Sequence, residues 1–149
     1  MAILDKKRNL KPSIVDRDDA IFIGIDLPFH LSSGPEGYFA STSTTMTAIK
    51  NNIRSLMKTE TGERLFQPTL GLNLKKYLFE QITPDTELNI QHDISTTIST
   101  WLPFVEIQDI VITTDDEDAY KGHTLKISIT FFINRNPNAL ESVTVNIGE

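Results

Sequence analysis

The run TLKISITFFI, residues 124–133, restricts the possible folds more than any other stretch. Leu125, Ile127, Ile129, Phe131 and Ile133 alternate with Lys126, Ser128, Thr130 and Phe132. A period of two residues sends successive side chains to opposite faces of a pleated strand, so this segment predicts a strand with one strongly apolar face. Such a strand needs neighbours for its main-chain groups and a layer over its apolar side. The sequence supplies both. VEIQDIVIT, residues 105–113, reads as a strand before it, and SVTVNI, with Val143, Val145 and Ile147 on one face, as a strand after it. The connections are an acidic hairpin loop, TDDEDAYKGH, and an NRNPNA turn, and connections this short make the three strands an antiparallel meander.

The covering layer comes from the middle of the chain. In residues 43–59 the apolar positions Met46, Ile49, Ile53, Leu56 and Met57 recur at helical spacing, Ser and Thr residues stand ready as caps, and Lys50, Arg54 and Lys58 fall on the other face. Gly62 offers a left-handed residue to end that helix. LNLKKYLFEQ, with Leu74, Tyr77 and Leu78 on one side, predicts a short second helix. Thr83 and Pro84 are placed as N-cap and first residue of a third, with Asp85 and Glu87 near its positive end. Its apolar face runs through Ile90, Ile94, Ile98, Trp101 and Leu102, and it stops before Pro103. The expected architecture is α+β: a single domain over residues 21–149 in which an antiparallel β-meander packs against about three helices.

The N-terminal part is less regular. Residues 1–20 are polar and aperiodic and read as a flexible arm that orders on a partner. IFIGIDLPF alternates at Ile21, Ile23, Ile25 and Leu27 and predicts a strand that ends at Pro28 or lies at an edge. HLSSGPEGYFASTSTT after it reads as a long surface loop.

Chain length and charge narrow the function. At 149 residues the chain is long enough to bury about 68–70% of the surface exposed when unfolded. With no cysteine, disulfides, thiolate metal sites and cysteine nucleophiles are excluded. A net charge of −6 argues against a nucleic-acid partner, which would call for a surplus of Lys and Arg. KKRNLK reads as a solvated tail. The start of the chain lacks the apolar core of a signal peptide, and no apolar run approaches a membrane span.

No catalytic or metal-binding constellation emerges. Two-carboxylate glycoside hydrolysis needs acids facing each other across a cleft. Glu36, Glu63 and Glu80 are the candidates, and their spacing in sequence sets no separation. Glu63, just after Gly62 and beside Arg64, has a plainer use: its carboxylate accepts turn amides while Arg64 reaches a carboxylate on a neighbouring element or subunit. His30, His92 and His123 lie in different elements without ligand spacing. GPEG lacks the Lys-Ser/Thr of a phosphate loop and is a turn. Asp115, Asp116, Glu117 and Asp118 lack the spaced ligands and terminal glutamate of a calcium loop. No cofactor is expected.

The run IKNNIRSLMKTETGERLFQPTLGLNLKKYLFE, residues 49–80, strongly resembles the baseplate wedge family of contractile-tailed bacteriophages, also called sheath initiators, with a counterpart in the type VI secretion baseplate. The resemblance rests on the amphipathic helix followed in order by Thr61-Gly62-Glu63-Arg64, Pro68, Gly71 and Leu78-Phe79-Glu80, and it extends more weakly over residues 44–147. It implies a non-enzymatic virion protein of the tail baseplate. Such a protein joins wedge and central hub proteins to the first ring of tail sheath protein, in six copies around the tube, without nucleic acid or membrane. The family often carries Glu-Pro-Arg after the long helix as a docking motif. Here those positions read Leu102-Pro103-Phe104, so docking at this corner would bury apolar groups instead of pairing charges. Related sheath proteins link by exchanging terminal strands. An unpaired strand at Val143 and Val145 would offer the same acceptor edge here. The expected partner contacts are therefore Glu63, Arg64, Leu102, Pro103, Phe104, Val143 and Val145. The alternative from another class is a lysozyme-like peptidoglycan hydrolase of the baseplate.

Overall fold

A computed structural model describes residues 21–34, 37–81, 83–115, 124–134 and 136–148. In chain order its elements are β1 (Gly24–Ile25), β2 (Ser41–Thr42), α1 (Thr45–Lys58), a 3-10 helix (Leu74–Phe79), α2 (Pro84–Trp101), β3 (Val105–Asp115), β4 (Thr124–Ile133) and β5 (Asn136–Ile147). The arm at residues 1–20, Glu36, the acids 116–118 and His123 lie outside the described residues.

The alternating run becomes the central strand of a three-stranded antiparallel sheet of order β3-β4-β5. Leu125, Ile127, Ile129, Phe131 and Ile133 are buried, and so are Val143, Val145 and Ile147 of β5. Their register brings Ile127 opposite Val145 and Ile129 opposite Val143, so like faces meet across the pair. The other face is wetter: Lys126, Thr144 and Asn146 are exposed, and the Ser128 and Thr144 hydroxyls lie 3.2 Å apart. One covered and one solvated face is the usual state of an antiparallel sheet.

Strand β3 departs from simple alternation. Val105 and Ile107 point inward, as do Ile110 and Ile112, which a strict period of two would not allow. A register shift between Ile107 and Asp109 takes up one extra residue and returns the apolar set to the core. Strand β5 begins at Asn136, inside the run that the sequence marks as a turn. Pro137 is compatible with this because β5 is an edge strand, where a missing amide donor is tolerated.

The helices form the second layer, α1 against β5 and α2 against β3. Ile49, Ile53, Leu56 and Met57 of α1 join Ile90, Ile94 and Ile98 of α2 in one core with the inner sheet face. Thr83 caps α2 as expected, accepting the Thr86 N–H at 3.3 Å, with Pro84 in the first turn. At the start of α1 the Thr44 hydroxyl bonds that of Thr47 at 2.6 Å and caps no backbone amide. The predicted second helix is a 3-10 segment that buries Leu74 and Tyr77.

Two expectations need correction. Helix α1 ends at Lys58, where Thr59 turns extended and donates both its N–H and its hydroxyl to the Ser55 carbonyl. Gly62, although at φ +92°, therefore serves a later turn and is not the helix cap. The N-terminal strand shrinks to Gly24–Ile25 paired with Ser41–Thr42. Ile21, Ile23 and Ile25 stay about half exposed because no layer among the described residues covers their face. This ribbon is held to α1 by buried Asn51, whose amide donates to Asp26 Oδ1 at 2.9 Å.

Candidate functional site

The segment between α1 and the 3-10 helix folds on itself. Its ends meet where the Leu72 N–H donates to the Thr59 carbonyl at 2.9 Å, and the Gly62 N–H donates to the Pro68 carbonyl at 2.8 Å across the middle. Gly71 is required at the closure. It sits at φ +113°, and a methyl group there would collide with the Thr59 carbonyl. Leu72, buried, anchors one end in the core. Lys75 ties down the other by an ion pair with Glu60 at 2.5 Å, and that hydrogen bond and charge raise the lysine's pKa above its ordinary value.

Glu63 does what the sequence suggested: Oε2 accepts the Glu60 N–H at 3.0 Å and closes the turn. Arg64 is exposed and makes no ion pair among the described residues. Beyond it stand Leu65 and Phe66, 92% and 98% exposed. Sequence reading passed over this pair. The signal was two large apolar residues inside a Gly- and Pro-rich turn with neither helical nor strand period, so no core face was waiting for them.

The other expected contacts lie near by. Helix α2 ends at Trp101 with Leu102 as its C-cap, and the Val105 N–H closes a turn onto the Leu102 carbonyl at 2.9 Å. Within that turn Pro103 and Phe104 are exposed, whereas Leu102 and Trp101 pack on the edge of the core. Arg64 and Leu102 share one open hollow of about 260 Å³, together with Leu70, Trp101, Ser55 and Leu56. The turn after α1 and the corner after α2, distant in sequence, thus present one continuous surface.

Glu63 faces a second and larger hollow of about 570 Å³ between α1, Leu27–Pro28 and β5. Val145 contributes to its wall, but the side chains of Val143 and Val145 are each only 1% exposed. Any contact they make with a partner must come through the main chain. The main chain is available: among the described residues no strand lies along the outer side of β5 or of β3. Alternate residues of an edge strand direct N–H and C=O groups away from their own sheet.

The 3-10 helix is pinned next to this region. The Tyr77 hydroxyl donates to Asp93 Oδ2 at 2.8 Å, and Lys76 Nζ lies 3.4 Å from the same oxygen. Burial pushes the Tyr77 pKa up, against the opposing pull of Lys76. Glu80, at the end of this helix, is exposed. Among the described residues no group of three or more His, Asp or Glu side chains is arranged to hold a metal, and no helix is long and apolar enough to cross a membrane.

Comparison with known proteins agrees with this arrangement. The family profile of baseplate wedge protein gp25 matches residues 43–138. Baseplate wedge protein gp25 of Enterobacteria phage T4 is 26% identical over 107 residues, which span 72% of this chain and 78% of the phage protein. Among solved structures, a chain of the six-fold symmetrised anti-feeding prophage baseplate superposes with a TM-score of 0.60 at 27% identity, covering 73% of this chain and 82% of that one. A protein from Geobacter sulfurreducens described as a putative tail lysozyme shares the fold, with a TM-score of 0.58, 23% identity, and coverage of 72% and 93%. A chain of the type VI secretion baseplate complex does so at 0.53 and 14%, covering 68% and 91%. The profile takes in α1, the braced turn, α2 and the first two strands of the meander, and the chain belongs to the baseplate wedge protein gp25 family.

Proposed function

We propose that this wedge protein joins the wedge and hub of a contractile-tail baseplate to the first ring of sheath subunits, six copies surrounding the tube, and starts sheath assembly by accepting a partner strand on β5. The outer edge of β5, along which no strand lies among the described residues, carries the reading. Main-chain groups left without partners on a strand that is fixed in a packed sheet form a template for an extended segment. The anti-feeding prophage relative, solved in a six-fold baseplate, supports the copy number. Arg64, Leu102, Pro103 and Phe104 form the face turned to neighbouring wedge proteins, with Leu65 and Phe66 beside them. The role is structural, and its partners are baseplate and sheath proteins, not nucleic acid or a membrane.

The test is hydrogen exchange on the purified chain with and without purified sheath protein. Amides within residues 142–147 are expected to exchange at least about tenfold more slowly once sheath rings form. Rings that form while these amides stay unprotected would rule out strand addition. At the other face, Phe104→Ser is expected to weaken wedge assembly more than it lowers the melting temperature, and equal losses would assign Phe104 to the core.

A second reading is a peptidoglycan hydrolase, favoured by the fold shared with the putative tail lysozyme. It requires muropeptide release that disappears in Glu63→Gln. The hydrogen bond that already commits the Glu63 carboxylate to its own turn speaks for the structural role.

A further inference from the structure

The larger hollow touches both faces of the meander at once. Lys126, Thr144 and Asn146 are exposed on the solvated face, whereas Arg54 and Lys58 belong to α1, which packs over the apolar one. A single cavity reaches both by passing around the free margin of β5, and Leu27–Pro28 forms its far wall. The groove is therefore a trough along the same edge that the strand-accepting reading uses.

Its charge is opposite to that of the whole chain. Three cations, Arg54, Lys58 and Lys126, line it with one carboxylate, Glu63, in a protein of net charge −6. Among the described residues none of the three cations is in an ion pair. Arg54 bonds the side-chain oxygen of Asn51 at 3.1 Å, and the Glu63 carboxylate is engaged by the Glu60 N–H. The cations flank the strand edge on both sides. A strand laid along β5 directs alternate side chains toward α1, to meet Arg54 and Lys58, and toward the solvated face, to meet Lys126.

From this we infer that the segment seated in the trough is an acidic extended peptide, its main chain paired with β5 and its carboxylates set against Arg54, Lys58 and Lys126. The inference rests on the strand-accepting reading and adds the chemistry of the incoming segment. A free phosphate or a nucleic acid would satisfy the cations but leave the β5 main chain without partners. A peptide satisfies both.

The probes are fluorescein-labelled ten-residue peptides in which pairs of valines alternate with pairs of glutamates or pairs of lysines, so that charges reach both faces of the strand, and a single-stranded DNA of the same length. Binding is followed by anisotropy and by amide exchange over residues 142–147. At low salt the acidic peptide is expected to bind about tenfold or more tightly than the basic one, as three exposed charge pairs allow. The preference should shrink at about 0.5 M salt. It should also disappear in Arg54→Gln/Lys58→Gln/Lys126→Gln and be reduced in Lys126→Gln alone, a change on the solvated face that leaves the core untouched. Equal binding of the two peptides with protected β5 amides would overturn the charge assignment and leave strand acceptance standing. Acidic-peptide binding without amide protection would overturn both. Tighter binding of the DNA, or no binding by either peptide, would also overturn the inference.

Discussion

Gly71 shows how much of the candidate surface rests on one backbone position. Its φ of +113° and the contact its missing Cβ would make with the Thr59 carbonyl set it apart from Gly62, which has φ +92° but open space around the Cβ position. Gly71→Ala is therefore expected to cost about 2–4 kcal/mol and Gly62→Ala about 1 kcal/mol, in that order, by urea denaturation. Similar small losses at both sites would mean that the Thr59–Leu72 closure yields easily. Single residues were legible in the sequence where their role is local. Thr83 and Pro84 announce a helix start because capping involves only the next three residues. Glu63 was readable for the same reason. Gly62 was misread as a helix cap because what stops α1 is Thr59 reaching back to Ser55 and out to Leu72, a closure completed by Gly71 well down the chain. The Asn51–Asp26 bond gave no sequence signal, since nothing local distinguishes that asparagine from Asn52.

At the level of elements, periodicity was trustworthy only where a second layer exists. Strand β4 alternates because α1 and α2 cover one face, and both helices announce themselves by the spacing of Ile49, Ile53 and Leu56 and of Ile90, Ile94 and Ile98. The equally regular Ile21, Ile23 and Ile25 yield a two-residue strand, because alternation records a preference for a pleated surface and not the presence of a cover. Strand β3 carries the opposite lesson: its pattern slips by one residue, and the bulge beside Gln108 absorbs the slip. Removing Gln108 should restore plain alternation of Val105, Ile107, Ile110 and Ile112. That deletion is expected to keep the inward set buried and change stability by less than about 1.5 kcal/mol, whereas inserting a further residue there should turn part of the strand inside out and abolish cooperative unfolding. Circular dichroism melts of the two variants separate these outcomes. The adjacency of Arg64 and Leu102 could not be read from sequence, because it depends on how α2 docks beside the braced turn.

As a whole molecule, this wedge protein divides into a core and an attachment. Among the described residues the buried cluster runs from Ile49 to Ile147, and the family profile begins at residue 43, just after β2. A chain starting at residue 43 is accordingly expected to unfold cooperatively with a melting temperature lower by a few degrees, reflecting the lost Asn51–Asp26 bond and ribbon packing. Loss of a cooperative transition would show that the ribbon is integral to the fold. The ribbon's exposed Phe29, Tyr38 and Phe39, stacked edge to face, are spare apolar surface and not part of the common core.

The outer flanks of the meander, along which no strand lies among the described residues, carry a liability before any tail exists. A hydrogen-bonding rim cannot tell an intended guest from a sibling, and two copies meeting rim to rim would satisfy each other and stall. Mutual repulsion between bodies that each carry a charge of −6 is expected to keep them apart. Stored in dilute buffer the protein should sediment as a monomer. Concentrated salt, by muting that repulsion, should drive it into pairs and longer stacks.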